Sequence, residues 1–297
     1  MKVTLLPDVD AGSGPRSVAI GTFDGVHLGH REVIRGSDTV LTFEPHPLSV
    51  IRPEATPKLL NTFSVKRDLI AALGVKELVV IPFDRSFAGQ SAEEFVQEVL
   101  IAKLGARRVS VGENFHFGKG AKGTEELLRS HSEFETHVTP LVEVEGVTVS
   151  STQIRDLVAA GEVKEAVAFL GGPFLFEGEV VHGDKRGREL GMPTANLVPD
   201  DRFVCPGHGV YAAWAGDHAA AVNVGVRPTF VTGRGLLVEA HLIGFEGDIY
   251  GETLRIAFLE KMRGEQAFDS VDALVEQMNR DVEQARVICE RTSFPVA

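Results

Sequence analysis

Two histidines stand three residues apart in a glycine-rich segment near the amino end of the chain. The segment "GTFDGVHLGH" spans residues 21–30 and carries His27 and His30. A helix that starts just after Val26 would offer free backbone N–H groups and a partial positive charge, which attract anions. His27 and His30 share one face of such a helix and can donate hydrogen bonds to phosphate oxygens or to a departing pyrophosphate. The spacing therefore predicts a site for the phosphates of a nucleotide.

Two other interpretations of the histidine pair stay open on this motif alone. An H-x-x-H pair also occurs as two surface histidines on an ordinary helix. Zinc binding is the third interpretation, although further ligands at suitable spacing are missing from the sequence.

A second group of phosphate donors lies in "VSSTQIR", residues 149–155. Its consecutive hydroxyl residues can cap a helix, and Arg155 follows one turn later as a fixed cation that grips two oxygens. By itself this pattern is a well-capped helix. Together with the histidine turn and "GENFHFG", residues 112–118, it predicts a phosphate site built from several strand ends of one sheet.

The segment "HGDKRGRELGMPTAN", residues 182–196, predicts a second site. Its first part is rich in glycine and basic residues and, taken alone, resembles a solvated turn. Its end places Thr194 and Asn196 two residues apart on one side of a strand. Neutral oxygens of this kind suit Mg²⁺, which binds few protein ligands together with substrate phosphates.

Glu239 is the candidate proton acceptor of this second site. It is a carboxylate within the otherwise apolar strand "VEAHLI", residues 238–243, where burial of a charge requires an explanation. An exposed glutamate on an edge strand is the alternative interpretation.

The elements that must position these residues change in type along the chain. The first half alternates short β-branched segments with helical patterns, which predicts a parallel sheet with helices on both faces. Such sheets bind ligands at the carboxyl ends of their strands. The predicted strands of this half are residues 17–21, 39–43, 77–83, 107–112 and 136–144.

From residue 174 onward the pattern consists of short strands separated by Gly, Pro and Asp, which favours a small β-barrel. A final helix over residues 270–288 would place Val271, Leu274, Val275, Met278, Val282 and Ala285 on one face, and we expect that face to pack on the barrel. We predict a domain boundary between Gly171 and Gly172, with domains of residues 1–171 and 172–297.

Composition limits the function classes. A chain of 297 residues is long enough for two domains with separate cores. The formal net charge of −12 argues against a general nucleic-acid binder. Cys205 and Cys289 lie far apart and predict neither a disulfide framework nor a thiolate zinc site. We find neither a membrane-spanning run nor a secretory leader and expect a cytoplasmic protein without a membrane partner.

Five motifs taken together resemble the bifunctional riboflavin kinase/FMN adenylyltransferase family, the bacterial FAD synthetases. They are "GTFDGVHLGH", "GENFHFG", "SSTQIR", "GRELGMPTAN" and "NVGVRPTF", in the family's order and over nearly the whole chain. The resemblance implies an α/β plus β protein. Its first domain would be a Rossmann-like nucleotidyltransferase of the HxGH class, and its second a small β-barrel flavokinase with a terminal helix.

The resemblance also implies the substrates riboflavin, FMN and ATP, with Mg²⁺ as the cofactor. Riboflavin plus ATP would give FMN and ADP, and FMN plus ATP would give FAD and pyrophosphate. A weak or transient homo-oligomer is a further expectation. The residues implied in catalysis are His27, His30, Arg155 and Glu239, the last as the base for the terminal ribityl hydroxyl.

Binding roles are implied for three further sets of residues. Those for ATP or its phosphates are Gly21, Phe23, Asp24, Gly25, Ser151, Thr152, Gly183, Lys185, Gly187, Asn223 and Arg227. Those for the flavin region are Asn114, Phe115, Phe117, Arg263, Phe268 and Arg286. Those for the metal are Thr194 and Asn196.

The chain departs from the family pattern in two places. His116 stands where the family commonly has arginine, so a contact that titrates near neutrality replaces a permanent charge. The segment "REVIRGSD", residues 31–38, is shorter than the family's and short for a helical crossover. A flavokinase whose first domain has lost adenylyl transfer is therefore the alternative, and a flavin-binding protein without catalysis is a third hypothesis.

Overall fold

The computed structural model describes residues 1–11, 14–183, 191–229 and 233–292, with the backbone alone for residues 226–229 and 233–234. These residues form two compact units. The first comprises residues 1–57 and 66–150, and the second comprises residues 58–65 and 151 onward.

The first unit is built on a six-stranded sheet in which every pairing is parallel. The parallel α/β prediction is confirmed. The strands follow the spatial order β1-β4-β3-β2-β5-β6. Their bounds are β1 Lys2–Leu5, β2 Arg16–Ile20, β3 Thr39–Glu44, β4 Glu77–Pro82, β5 Ala106–Gly112 and β6 Glu135–Thr139. A separate hairpin pairs β7 Glu143–Val144 with β8 Val147–Thr148.

The apolar core of this unit covers both faces of the sheet, as is typical of parallel sheets. All five residues of β2 are buried, as expected for a strand covered on both faces. Val18, Ile20 and Leu41 belong to one buried cluster with Phe95 and Leu100. The helices are α1 Leu28–Ile34, α2 Pro47–Ile51, α3 Phe63–Ala72, α4 Arg85–Ala88, α5 Ala92–Glu94 with its π-helical continuation Phe95–Lys103, and α6 Glu125–Ser130.

The crossover between β2 and β3 is short but helical. Residues 31–38 are short for a helical crossover, and the helix fits because α1 begins at Leu28, inside the histidine motif itself. Seven residues of helix and a turn at Gly36, with φ of 75°, return the chain to β3.

The second unit contains a closed antiparallel barrel with the order β10-β13-β12-β11-β14-β9. The predicted β-barrel is confirmed. Its strands are β9 Phe174–Val181, β10 Ala195–Leu197, β11 Gly209–Ala215, β12 His218–Thr229, β13 Gly233–Leu242 and β14 Thr253–Arg263. Helices α7 Ser151–Ala160 and α8 Val163–Leu170 belong to the same unit. The predicted boundary between residues 171 and 172 stays a prediction about the catalytic domains.

The terminal helix α9 spans Val271–Arg291 and contacts β11, β12 and β14. The prediction of a packed helix is confirmed, but the predicted face was wrong at its start, since Val271 is 61% exposed. The buried side includes Ala285, as predicted, together with Asp281 and Cys289. Asp281 is tolerated there because Arg263 donates to both of its carboxylate oxygens.

Residues 58–65, which precede most of α3 in the chain, belong to the second unit and form hydrogen bonds with the segment between β10 and β11. The N–H of Leu59 donates to the carbonyl of Arg202 at 2.8 Å, and the N–H of Val204 donates to the carbonyl of Leu59 at 2.9 Å. This pairing of distant segments was not predicted from the sequence.

The carboxylate of Glu177 on β9 reinforces this attachment. It accepts hydrogen bonds from Thr62 at 3.0 Å and from Ser64, and it lies 2.9 Å from Nη2 of Arg255. Burial disfavours the charged form of Glu177. The hydrogen bonds from Ser64, Arg255 and Thr62, with the Arg255 charge, outweigh burial and hold the pKa of Glu177 below its ordinary value.

We expect Glu177→Gln to lower the free energy of unfolding by about 1–2 kcal/mol near neutral pH. A carboxyl whose pKa is depressed by folding contributes stability above its unfolded pKa of about 4.3. That contribution is lost as pH falls through the folded pKa. The difference between the two proteins in urea unfolding should therefore shrink below about pH 5. Glu179→Gln, at an exposed position of β9, is the matched control, and a difference independent of pH would contradict the assignment.

No helix in the described ranges is long and apolar enough to cross a membrane.

Candidate functional site

The sheet order creates a switch point between β2 and β5. From β2 the chain goes to β3 and β4 on one side, and then to β5 and β6 on the other. Crevices at such points, at the carboxyl ends of the strands, are where open α/β sheets bind ligands. The histidine turn follows β2, and "GENFHFG" begins at the last residue of β5. The fold therefore brings these two motifs to one edge of the sheet.

The turn after β2 has an unusual backbone. Phe23, Gly25 and Val26 all have positive φ angles, of 50°, 91° and 43°. A β-branched residue rarely adopts this conformation, and such strain is typical of functional sites. The ring of Phe23 is buried and contacts the His30 ring edge-on, with 5.3 Å between the centroids. The turn thereby holds the histidines in place.

His27 and His30 lie face to face at the start of α1. Their ring centroids are 3.5 Å apart, and the ring planes differ by 17°. His27 is the N-cap, and its Nδ1 accepts a hydrogen bond from the His30 N–H at 3.3 Å. An accepting Nδ1 leaves the proton of a neutral ring on Nε2, where it is available to a ligand. Gly29 permits this geometry, because a Cβ there would lie 3.3 Å from the His27 ring.

His30 is held in its neutral form. Burial, the adjacent His27 ring and the charge of Lys66 each disfavour protonation and keep the pKa of His30 well below its ordinary value. Its Nδ1 is buried and has no hydrogen-bond partner among the described residues. A neutral histidine at neutral pH remains a hydrogen-bond donor through one ring nitrogen.

Lys66 is a component of this site that the sequence analysis missed. Its side chain is only 7% exposed, and Nζ lies 3.9 Å from Oε2 of Glu44, the last residue of β3. Burial lowers the pKa of Lys66, while the charges of Glu44 and Asp24 oppose that shift. One sequence pattern could have indicated that Lys66 is buried. Lys66 precedes the fully buried Ile70 by four residues and so shares the apolar face of α3.

Asp24 was predicted to bind ATP or its phosphates. The structure places it in the buried part of the turn, where it interacts electrostatically with Lys66. Its predicted role in binding ATP or its phosphates stays a prediction.

The predicted flavin residues after β5 differ in exposure. Asn114 is exposed, whereas Phe117 is 6% exposed and packs in the apolar core. Phe115 is half-buried and stacks on Phe117, with 5.6 Å between the centroids. His116 is exposed, and its Nδ1 lies 3.0 Å from the carbonyl oxygen of Asn114. Asn114, Phe115 and His116 are therefore accessible, whereas Phe117 is not.

Ser151, Thr152 and Arg155 form the first turns of α7, as the sequence predicted. Nη1 of Arg155 donates to the Thr152 hydroxyl at 3.3 Å. These residues belong to the second unit. Their predicted role in binding ATP phosphates stays a prediction.

The barrel brings three polar side chains to neighbouring positions on adjacent strands. Glu239 of β13 is directly opposite Asn196 of β10 on one side and Asn223 of β12 on the other. Nδ2 of Asn223 donates to Oε2 of Glu239 at 3.4 Å. Val238 and Ala240 are fully buried while Glu239 is half-buried, so Glu239 lies on the strand face opposite the apolar one. Alternation along the strand thus explains a carboxylate in an apolar sequence.

Asn196 is the deepest member of this group, with 5% of its surface exposed. Its Nδ2 donates to the Thr194 carbonyl at 3.3 Å, and its Oδ1 is buried without a hydrogen-bond partner among the described residues. The backbone of Gly183 lies against this amide, and a Cβ there would be 2.5 Å from Nδ2. Thr194 is half-buried.

The residues predicted to border the flavin lie at the end of β14 and on α9. Nη2 of Arg263 lies 2.7 Å from Oδ2 of Asp281, and its guanidinium carbon is 5.9 Å from the centre of the Phe268 ring. Nε of Arg286 is 3.9 Å from Oε2 of Glu283 on the surface of α9. Lys185 and Gly187 lie outside the described residues, as does the side chain of Arg227.

Two classes of enzyme domain follow from these observations. A parallel sheet with an H-x-G-H turn at its switch point is typical of nucleotidyltransferases, and a barrel that sets a carboxylate between two asparagines has the groups that a small-molecule kinase requires. Residues 11–153 match the family described as FAD synthetase, and residues 170–289 match the family described as riboflavin kinase. The chain belongs to the bifunctional riboflavin kinase/FMN adenylyltransferase family.

Curated relatives match nearly the full length. The bifunctional riboflavin kinase/FMN adenylyltransferase of Escherichia coli K12 is 36% identical over 91% of each chain. The Bacillus subtilis protein of the same name is 34% identical over 90% of each chain. A crystal structure of a Streptococcus pneumoniae protein called a macrolide-efflux protein has a TM-score of 0.85 and 34% identity, and the match covers 96% of this chain and 99% of that chain. These matches confirm the resemblance predicted from the five motifs.

Proposed function

We propose that this chain makes FAD from riboflavin in two steps. The barrel unit transfers the γ-phosphoryl group of ATP to riboflavin, giving FMN and ADP. The α/β unit transfers the adenylyl group of a second ATP to FMN, giving FAD and pyrophosphate. The observation that carries the proposal is that both family matches occur in one chain. Each match lies over a unit that contains polar groups suited to the corresponding reaction. The monofunctional alternative lacks this support.

Adenylyl transfer requires positioning and charge stabilisation without a covalent enzyme intermediate. An FMN phosphate oxygen attacks the α-phosphorus of ATP, and the bond from that phosphorus to the oxygen of the β-phosphate breaks. Negative charge grows on the α-phosphoryl oxygens and on the departing pyrophosphate. His27 and His30 would donate hydrogen bonds to these oxygens, and the Lys66 ammonium would stabilise the charge. Asn114 and Phe115 would contact the flavin or adenine.

Riboflavin phosphorylation requires removal of a proton from the terminal ribityl hydroxyl. Glu239 would accept this proton as the hydroxyl oxygen attacks the γ-phosphorus and ADP leaves. Asn223 holds one carboxylate oxygen of Glu239 by a hydrogen bond and so orients the base. Gly183, with Lys185, Gly187 and Arg227, would contact the ATP phosphates.

A divalent cation fits the residues present in the barrel. The observation that supports this fit is the buried Oδ1 of Asn196, which has no hydrogen-bond partner among the described residues. A buried oxygen left without a donor is costly, and a neutral amide oxygen is a ligand that Mg²⁺ accepts. Thr194 and Asn196 would hold the ion, which would neutralise phosphate charge when bound with ATP.

Three finer expectations remain proposals. We propose a cytoplasmic location, weak or transient self-association and the absence of a nucleic-acid partner. The formal net charge of −12 supports the last of these.

Two ATP analogues separate the proposed activities. In α,β-methylene-ATP a carbon replaces the bridging oxygen that must break in adenylyl transfer, but the γ-phosphoryl group can still leave. In β,γ-imido-ATP a nitrogen replaces the bridge next to the γ-phosphorus, while the α-phosphorus can still be attacked. We expect the first analogue to support conversion of riboflavin to FMN alone. The second should support conversion of FMN to FAD alone.

Chromatography of the flavins with ATP and with each analogue checks this expectation. The monofunctional alternative would be established if riboflavin and ATP gave FMN without FAD, and if FMN supplied with the imido analogue also gave no FAD. Flavin binding without any product in any reaction would establish a non-catalytic flavin protein.

A further inference from the structure

The strand that carries the proposed base, β13, also carries a histidine that the kinase reaction described above does not use. His241 lies two residues after Glu239 on β13. Both side chains are half-buried, whereas Ala240 between them is fully buried. Because side chains alternate along a strand, His241 and Glu239 share the polar face of β13, opposite the apolar one.

The register of the barrel sets His241 beside the start of β10. The pairing of β10 with β13 begins at Ala195, which is opposite Ala240. One further step of the same register would place Thr194 opposite His241, but β10 begins only at Ala195. Thr194 follows a proline, which has no N–H to donate to a strand ladder. At this point a side chain, rather than the ladder, holds the main chain.

His241 supplies that side chain. Its Nδ1 lies 2.8 Å from the carbonyl oxygen of Pro193. A carbonyl oxygen only accepts hydrogen bonds, so the His241 ring donates through Nδ1. The carbonyl of the next residue, Thr194, accepts a hydrogen bond from Nδ2 of Asn196 at 3.3 Å. His241 and Asn196 therefore hold two consecutive carbonyls.

The hydrogen bond from His241 controls the direction of the Thr194 side chain. The Pro193 carbonyl and the N and Cα atoms of Thr194 belong to one planar peptide group. A donor that fixes the carbonyl therefore fixes the plane from which the Thr194 side chain projects. Thr194 and Asn196 are the residues proposed above to hold the divalent cation, and Asn196 is opposite Glu239.

We propose that His241 is a positioning residue for the divalent cation of the kinase reaction. By holding the Pro193 carbonyl, it directs Thr194 toward the ion and keeps this ligand in register with Glu239. Its effect on the ion passes through Thr194. This inference rests on the proposed kinase function of the barrel.

The first test compares His241→Leu with the unmodified full chain, because leucine fills space without donating a hydrogen bond. We expect the Mg²⁺ concentration for half-maximal formation of FMN to rise about tenfold, the usual effect of losing a residue that orients a metal ligand. At saturating Mg²⁺ the rate should return to near the unmodified value. The Mg²⁺ dependence of FAD formation from supplied FMN should not change, since His241 lies outside residues 11–153.

Two further variants separate the hydrogen bond from packing. His241→Asn places an amide N–H close to the position of Nδ1 and should restore most of the Mg²⁺ affinity. His241→Gln places its amide N–H near the position of Nε2 and should behave like His241→Leu, which it replaces if leucine prevents folding. His218→Leu is the matched control, because His218 is a half-buried histidine of the same barrel that contacts the Phe245 ring.

Binding of Mn²⁺ in the presence of ADP gives a readout that does not depend on activity. Electron paramagnetic resonance measures the free Mn²⁺, and the binding lost in Asn196→Ala defines the part that belongs to the barrel. His241→Leu should weaken that part about tenfold and leave the remainder unchanged.

Three results would overturn the inference. They are unchanged Mn²⁺ binding in His241→Leu or in Asn196→Ala, an asparagine variant no better than the glutamine variant, and a loss of FMN formation that added Mg²⁺ does not restore. Failure of the unmodified protein to phosphorylate riboflavin at all would instead overturn the proposed function.

Discussion

Glutamine in place of Glu239 is expected to lower kcat for riboflavin phosphorylation by about a hundred- to ten-thousandfold, the usual value of a general base. Glutamine keeps the shape of the side chain and can still pair with Asn223, which donates to Glu239 at 3.4 Å. It cannot take up the proton of the attacking hydroxyl. Riboflavin and ATP should therefore still bind, and the loss should appear in kcat rather than in KM.

The measurement is steady-state formation of FMN from riboflavin, together with fluorescence titration of riboflavin binding. Formation of FAD from supplied FMN is the internal control, because Glu239 lies outside residues 11–153, which match the FAD synthetase family. Glu246→Gln controls for loss of one negative charge from the barrel unit. A kcat within about threefold of the unmodified value would exclude Glu239 as the base.

The barrel site shows why the residue types were predictable and their arrangement was not. Short sequence patterns made Asn196 and Glu239 candidates, and the family resemblance added Asn223. Their adjacency depends on the register of β10 and β12 against β13, which distant parts of the chain determine. The Oδ1 of Asn196 marks the proposed metal site, and its lack of a hydrogen-bond partner within the described part of the chain is likewise a property of the folded structure.

In the first unit, too, part of the site could be predicted from the sequence and part could not. The switch point follows from the order of parallel strands, and the histidine turn was predictable from its glycines. Lys66 was not predicted because its charge lies on an otherwise apolar helix face, and only the buried Asp24 and the nearby Glu44 explain it. Within the second unit, the hydrogen bonds of Leu59 with Arg202 and Val204 join segments more than a hundred residues apart, beyond the reach of local patterns.

Methionine in place of Lys66 is expected to lower FMN adenylylation by about a hundredfold or more, as when one preorganised donor of a transition-state anion is removed. Methionine preserves most of the packing of the lysine stem while it removes the ammonium group. Asp24 and Glu44 then lack their common cation, and the departing pyrophosphate loses a compensating charge. Riboflavin phosphorylation should be unaffected.

The ionisation of His30 distinguishes this electrostatic role from a structural one. The charge of Lys66 is one of the causes that hold the pKa of His30 below its ordinary value, after burial and His27. Its removal favours protonated His30, so the pKa of His30 should rise, as NMR of the imidazole carbons would detect. Lys76→Met, at an exposed position before β4, is the matched control and should leave this pKa unchanged. Adenylylation near the unmodified rate with a raised His30 pKa would show that Lys66 sets the charge of the histidine without stabilising the transition state.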